Sequence, residues 1–195
     1  MHDPILIAAP TRCGTTCLAW LLHLHGVWIG EGDVTQDPST NPQVPTENKH
    51  IKAYLRSVNG IPADFKKRLG QMVPAQSPWL VKGVDNLRKW EAWAHHFPEA
   101  KWLLPYRPIA DCVASKGRQL KRDPMTKDTR NVKQHFAMQD VIVDNARNTH
   151  RISADALCKG GDRGEQEAAA IFGFLDMPFN PEVYHGWIEP DRWHG

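Results

Sequence analysis

The sequence predicts an α/β protein, and two observations carry that class. The chain opens on an uninterrupted apolar run, Ile5 to Ala9, that stops at Pro10 and gives way to a polar turn and then a helical stripe. A run with no polar alternation is the pattern of a strand covered on both faces. Further along, Trp79 to Gly83 and Trp102 to Leu104 are again short strand candidates, and each is followed by residues at helical spacing. Strand alternating with helix is the signature of the class.

The bulk properties agree. A chain of 195 residues with 41% hydrophobic and 24% charged content has enough material for one folded domain, residues 1–195. A formal net charge of +2 is too small to argue for nucleic acid, although it suits an anion bound locally. The four cysteines, Cys13, Cys17, Cys112 and Cys158, form no Cys-x-x-Cys pair and no zinc spacing, so free thiols and no metal are expected. The apolar stretch Cys17 to Ile29 is broken by His23, His25 and Gly26 and is too short to span a bilayer, and no signal segment opens the chain. A soluble cytoplasmic protein with no membrane partner is the expectation.

Taken in order, the first unit is the most informative. After the strand, Arg12-Cys13-Gly14-Thr15-Thr16-Cys17 forms the turn, and Leu18, Leu21 and Leu22 share the helix face that follows. Gly14 lets backbone approach a ligand, and a helix N-terminus offers unpaired N–H groups and a positive dipole end. The combination is an anion site. Gly26 is placed to end the helix. Val27 to Ile29 is a short strand candidate, and Glu31 lies just past its end, with Asp33 as its rival.

Residues 37–45 read as loop, and about 37–76 interrupts the alternation as a helical insertion, where ligand specificity is expected to lie. Thr46 is placed to cap a helix carrying Ile51, Tyr54, Leu55 and Val58, and Pro62 to start one carrying Phe65, Leu69, Met72 and Val73. Lys82 ends the next strand, before a helix through Leu87, Trp90 and Ala94. Trp102 to Leu104 reads as a central strand, with Pro105 predicting an early end or a bulge. Arg107 leaves it, and Ser115 follows eight residues later on a helix from Ile109 to Leu120. Gly117 to Arg130 is basic and polar and reads as a surface loop. A helix over 131–148, a late strand from Arg151, and a helix from Gly164 to Leu175 complete the elements; residues 180–195 show no regular pattern.

The loop departs from the Gly-Lys-Ser/Thr loop of nucleotide phosphatases: no Lys precedes Thr15. It resembles instead the 5′-phosphosulfate loop of sulfotransferases, Lys/Arg-Ser/Thr-Gly-Thr-Thr, and is similar to the Pro-Arg-Ser-Gly-Thr-Thr loops of tyrosylprotein and bacterial members. The resemblance continues in order. It takes in Lys82, then Phe97-Pro98-Glu99-Ala100-Lys101, then Arg107 and Ser115 at the spacing of the family's 3′-phosphate motif, and last Phe174 to Phe179. It implies a P-loop-type three-layer sandwich, a central parallel sheet with helices on both faces. It also implies 3′-phosphoadenosine 5′-phosphosulfate (PAPS) as donor, 3′-phosphoadenosine 5′-phosphate (PAP) as product, a hydroxyl-bearing acceptor, and no required metal.

The roles implied are these. Arg12, Cys13, Gly14, Thr15, Thr16 and Cys17 hold the phosphosulfate, Arg107 and Ser115 the 3′-phosphate. Arg12 and Lys82 stabilise the transferring group, and Glu31 acts as base. Two alternatives remain open at this point: a small-molecule kinase using ATP, and a nucleotide-binding module without catalysis.

Overall fold

The structure is a computed structural model of the chain that describes residues 2–30, 32–34, 45–75, 77–121 and 123–188. Its centre is a four-stranded parallel sheet of order β4-β1-β5-β6, formed by β1 (Ile5–Ile7), β4 (Leu80–Lys82), β5 (Lys101–Tyr106) and β6 (Asn148–Ser153). A separate antiparallel pair joins β2 (Gly32–Val34), just ahead of the insertion, to β3 (Pro45–Asn48) within it.

Alternation along the strands sorts the core into two layers. Ile5, Ile7, Leu80, Leu103 and Ile152 face α1 (Thr15–Leu24), α8 (Ala154–Lys159), α9 (Gly161–Leu175) and α10 (Pro181–Trp187). Leu6, Ala8, Val81, Trp102 and Leu104 face α2 (Lys49–Ser57), α3 (Phe65–Gly70), α4 (Val84–Arg88), α5 (Trp90–His96) and α7 (Thr126–Asn145). The last helix, α6 (Ile109–Leu120), packs Cys112 and Val113 against Ala9, Cys13 and Val132 near the carboxyl end of β1. The sandwich with a parallel sheet and helices on both faces is therefore present. No helix among the described residues is long and apolar enough to cross a membrane.

Several boundaries move for local reasons. Asn48, not Thr46, caps α2: its side-chain oxygen accepts from the N–H groups of His50 and Ile51 at 2.9 and 3.0 Å. Val27 to Ile29 makes a single parallel bridge, Trp28 to Trp79, beyond the β4 edge. The helix expected through 87–94 is two short helices broken at Lys89. Pro105 does not end β5, because its other edge stays paired, opposite Ile152 of β6. Much of the basic stretch from Gly117 is helical, since α6 runs to Leu120 and α7 begins at Thr126. The C-terminal stretch holds α10, whose start was readable: Asn180 caps it and Pro181 takes the first turn.

Candidate active site

The site forms where β4, β1 and β5 deliver their last residues to one end of the sheet. In an open α/β sheet the crevice lies outside the carboxyl ends, where the strand order reverses. Here the chain passes from β1 to β4 on one side, then crosses to β5 on the other.

From β1 the loop turns sharply. Arg12 has φ 71° and Gly14 φ 65°, both left-handed. At Gly14 the reason is tight packing: a Cβ there would stand 3.1 Å from Cys158 Sγ and 3.2 Å from Ala154 Cβ. The loop is thus pressed against the start of α8. Thr15 and Thr16 open α1, whose first bond runs from the N–H of Leu18 to Gly14 O at 3.1 Å. The N–H groups ahead of Leu18 sit at the helix start, as an anion cradle requires.

Two side chains from distant elements meet this loop. Arg12 Nε donates to Ser115 Oγ on α6 at 2.9 Å, across 103 residues of sequence. Lys82 Nζ, from the end of β4, donates to Thr16 Oγ1 at 2.8 Å. Arg107, at the end of β5, holds its Nε 3.0 Å from Asp155 Oδ1 in the first turn of α8. Burial, then the charges of Arg107 and Arg118, push the Arg12 guanidinium below its ordinary pKa. Guanidiniums that destabilise one another define a place where an anion is favoured.

Cys13 is buried and its Sγ lies 3.2 Å from Cys112 Sγ. The hydrogen bond to Cys112, then burial, push the Cys13 thiol up; the same bond brings Cys112 down. Cys13 therefore points into α6, away from any donor role toward a ligand. Cys17 is fully buried in the α1 layer, its thiol pushed up chiefly by burial, so of the loop's expected contacts only its backbone remains available.

A shallow, open cleft lies beside Lys82. Its walls include Asn48, Lys52 and Leu55 from the insertion, Ile29, and Asp85 of α4. Gly30 lets the insertion close in, since a Cβ there would stand 2.7 Å from Asn48. Arg56 of α2 pairs with Asp85 at 3.1 Å, tying the insertion to the β4 side. Glu31 lies outside the described residues, as does the side chain of its rival Asp33. Among the described residues, no group of three His, Cys, Asp or Glu side chains is arranged to hold a metal ion.

The structure thus brings Arg12 to Ser115 and Lys82 to Thr16 around one loop, with Arg107 near enough to Arg12 to lower its pKa. Sequence reasoning gave no role to Asp155, which holds Arg107. It also missed two buried amides. Asn86 Nδ2 donates to Ile7 O at 3.0 Å and Val81 O at 2.8 Å, and Gln139 Nε2 donates to Ala8 O at 2.6 Å and Pro105 O at 3.1 Å. A lone Asn or Gln in a helical stretch carries no signal; only Pro105, a missing donor inside a strand, hints that one of them must exist.

Comparison with solved structures finds the same architecture. Sulfotransferase STF1 of Mycobacterium tuberculosis H37Rv superposes with TM-score 0.66 at 14% identity, over 96% of this chain and 71% of its own. The sulfotransferase domain from the curacin biosynthetic pathway gives 0.61 at 16% identity, over 94% and 77%. Sulfotransferase STF9 of Mycobacterium avium gives 0.57 at 12% identity, over 95% and 67%. No family model matches the chain, and no curated protein matches it in sequence. The fold is that of the sulfotransferases.

Proposed function

We propose that this chain is a sulfotransferase that moves the sulfuryl group of PAPS to a hydroxyl acceptor. The carrying observation is the 2.9 Å bond from Arg12 to Ser115, which joins the loop and α6 into one cationic crevice with Arg107 beside it. A donor with anionic groups at both ends suits a site whose cations come from two separate elements.

The residues fit the donor in chemical terms. Crowded guanidiniums are relieved by a bound dianion, and the α1 start supplies N–H donors. The donor brings a good leaving group, so the protein's task is to bind, align and neutralise charge. Arg107 and Ser115 hold the 3′-phosphate. Arg12, the loop N–H groups and the hydroxyls of Thr15 and Thr16 hold the phosphosulfate. Lys82 stands at the Thr16 hydroxyl, positioned to neutralise charge on the oxygen that leaves. The cleft beside Lys82 receives the acceptor, and the insertion's α2 sets its size. Glu31, with Asp33 as its rival, takes the hydroxyl proton. The scheme requires no metal, and one sulfotransferase domain in the cytoplasm is the organisation we propose.

Binding of PAP against ATP with Mg²⁺, followed by transfer of label from radiolabelled donor to a panel of alcohols, phenols and sugars, tests the reading. Preference for PAP with transfer supports it; preference for ATP with Mg²⁺ replaces it with a kinase, and PAP binding with no transfer to any acceptor reduces it to a binding module. In the same assay Glu31→Gln should abolish transfer while PAP affinity stays within about threefold.

A further inference from the structure

We propose that Gln139 is a positioning residue whose side chain replaces the backbone donor that Pro105 lacks, and so sets the gap between β1 and β5 where the crevice opens. The ligand used to test it rests on the donor reading above; the geometry does not.

In a parallel ladder one residue bonds to the two residues that flank its partner. The N–H of Ala8 donates to Leu103 O at 3.1 Å. The next rung would run from the N–H of residue 105 to Ala8 O, and residue 105 is proline, which has no N–H. On its other edge β5 continues unbroken, with Pro105 opposite Ile152 and Tyr106 opposite Ser153. The ladder therefore fails on the β1 side alone.

Ala8 and Pro105 are both buried, and a buried carbonyl without a donor is costly. Gln139, 1% exposed in α7, fills the place: one amide nitrogen, with two hydrogens, serves Ala8 O at 2.6 Å and Pro105 O at 3.1 Å. A side chain inserted between two carbonyls holds the strands wider than a direct rung. Two residues beyond Pro105 comes Arg107; four beyond Ala8 comes Arg12.

The other flank of β1 shows the contrast. There the N–H of Gly83 reaches Ile7 O at 3.0 Å and the rung is complete, with Asn86 adding a second donor to the same oxygen. Of the two flanks of β1, the one next to Arg107 is where a side chain stands in for a rung, between the two cationic elements.

The test compares the parent, Gln139→Met, which keeps length without donors, and Gln139→Met with Pro105→Ala, which returns the missing N–H. PAP affinity and Tm are read for each; Gln139→Asn, one methylene shorter, is the milder variant should Gln139→Met not fold. Gln139→Met should lose about tenfold or more in PAP affinity and about 3–6 °C in Tm. Adding Pro105→Ala should restore part of the lost Tm, since it returns a donor to Ala8 O and none to the carbonyl of residue 105, and leave affinity low, because the rung now closes the gap. In an Arg107→Ala background Gln139→Met should cost no further affinity. PAP affinity within about twofold of the parent in Gln139→Met, or its full return with Pro105→Ala, overturns the proposal and leaves Gln139 a structural amide. If the parent itself does not bind PAP, the donor reading falls and Tm alone decides. Loss in Gln139→Met repaired in part by Pro105→Ala then supports the replacement, and no loss or no repair overturns it.

Discussion

The two flanks of β1 do different work with similar parts. On the β4 flank the ladder is complete, and the strand end delivers Lys82 to the Thr16 hydroxyl beside a cleft walled by the insertion. On the β5 flank the ladder is broken by Pro105, and the strand end delivers Arg107 to a crevice shared with Arg12 and Ser115. On the proposed function, the closed flank serves transfer and the open flank serves grip. A parallel sheet can thus divide chemistry from binding by changing one rung on one edge of its central strand.

The sharpest way to break this division is Lys82→Met. It should lower kcat by about 10²–10³, the scale of losing one preorganised donor to developing charge, and leave PAP affinity within about threefold. Loss of PAP affinity equal to the loss of kcat would merge the flanks. Arg107→Ala should do the reverse. It should cost about 1.5–3 kcal/mol of PAP binding, measured by titration calorimetry, and unchanged affinity would remove the 3′-phosphate assignment.

Acid is a perturbation that respects neither flank. His96 packs on Phe65 in the β4-side layer, and His150 of β6 stacks on Phe174 on the β5 side. Burial first of all holds His96, His135 and His150 below the ordinary histidine range. The folded protein therefore binds fewer protons than the unfolded chain just below the ordinary value. Stability is fully present above about pH 6.5 and is lost as pH falls through it. Tm should drop between about pH 7.5 and about pH 5.5, and His150→Phe should make that drop shallower. The smallest expected effect is that of Cys13→Ser. Because the thiol faces Cys112, PAP affinity should stay within about threefold, and a large loss in a binding titration would place the side chain at the ligand instead.

The strand, loop and helix from Ile5 to Leu22 were legible because burial on both faces, a glycine turn and a threonine start each leave a mark in the sequence. The spacing of eight between Arg107 and Ser115 is a sequence fact, but the contacts the structure shows run elsewhere, from Arg107 to Asp155 and from Ser115 to Arg12. The bond from Arg12 to Ser115 was not legible as such: it depends on α6 crossing above the end of β1. Gln139 and Asn86 were invisible because their partners are backbone carbonyls, which every residue has. Asp155 was hidden for another reason. Its partner, Arg107, is 48 positions earlier, and only the parallel pairing of β5 with β6 brings the two strand ends together.

Arg12 is held at φ 71°, a conformation that costs an arginine free energy and costs a glycine almost none. Glycine at that position would relax the turn and remove a cation that Arg107 and Arg118 already oppose. Heat resistance and reactivity therefore pull in opposite directions at one residue. A laboratory evolution scheme that rewards only thermal tolerance should drift toward glycine at position 12, and on the proposed function its survivors would be sturdier proteins that no longer turn over substrate.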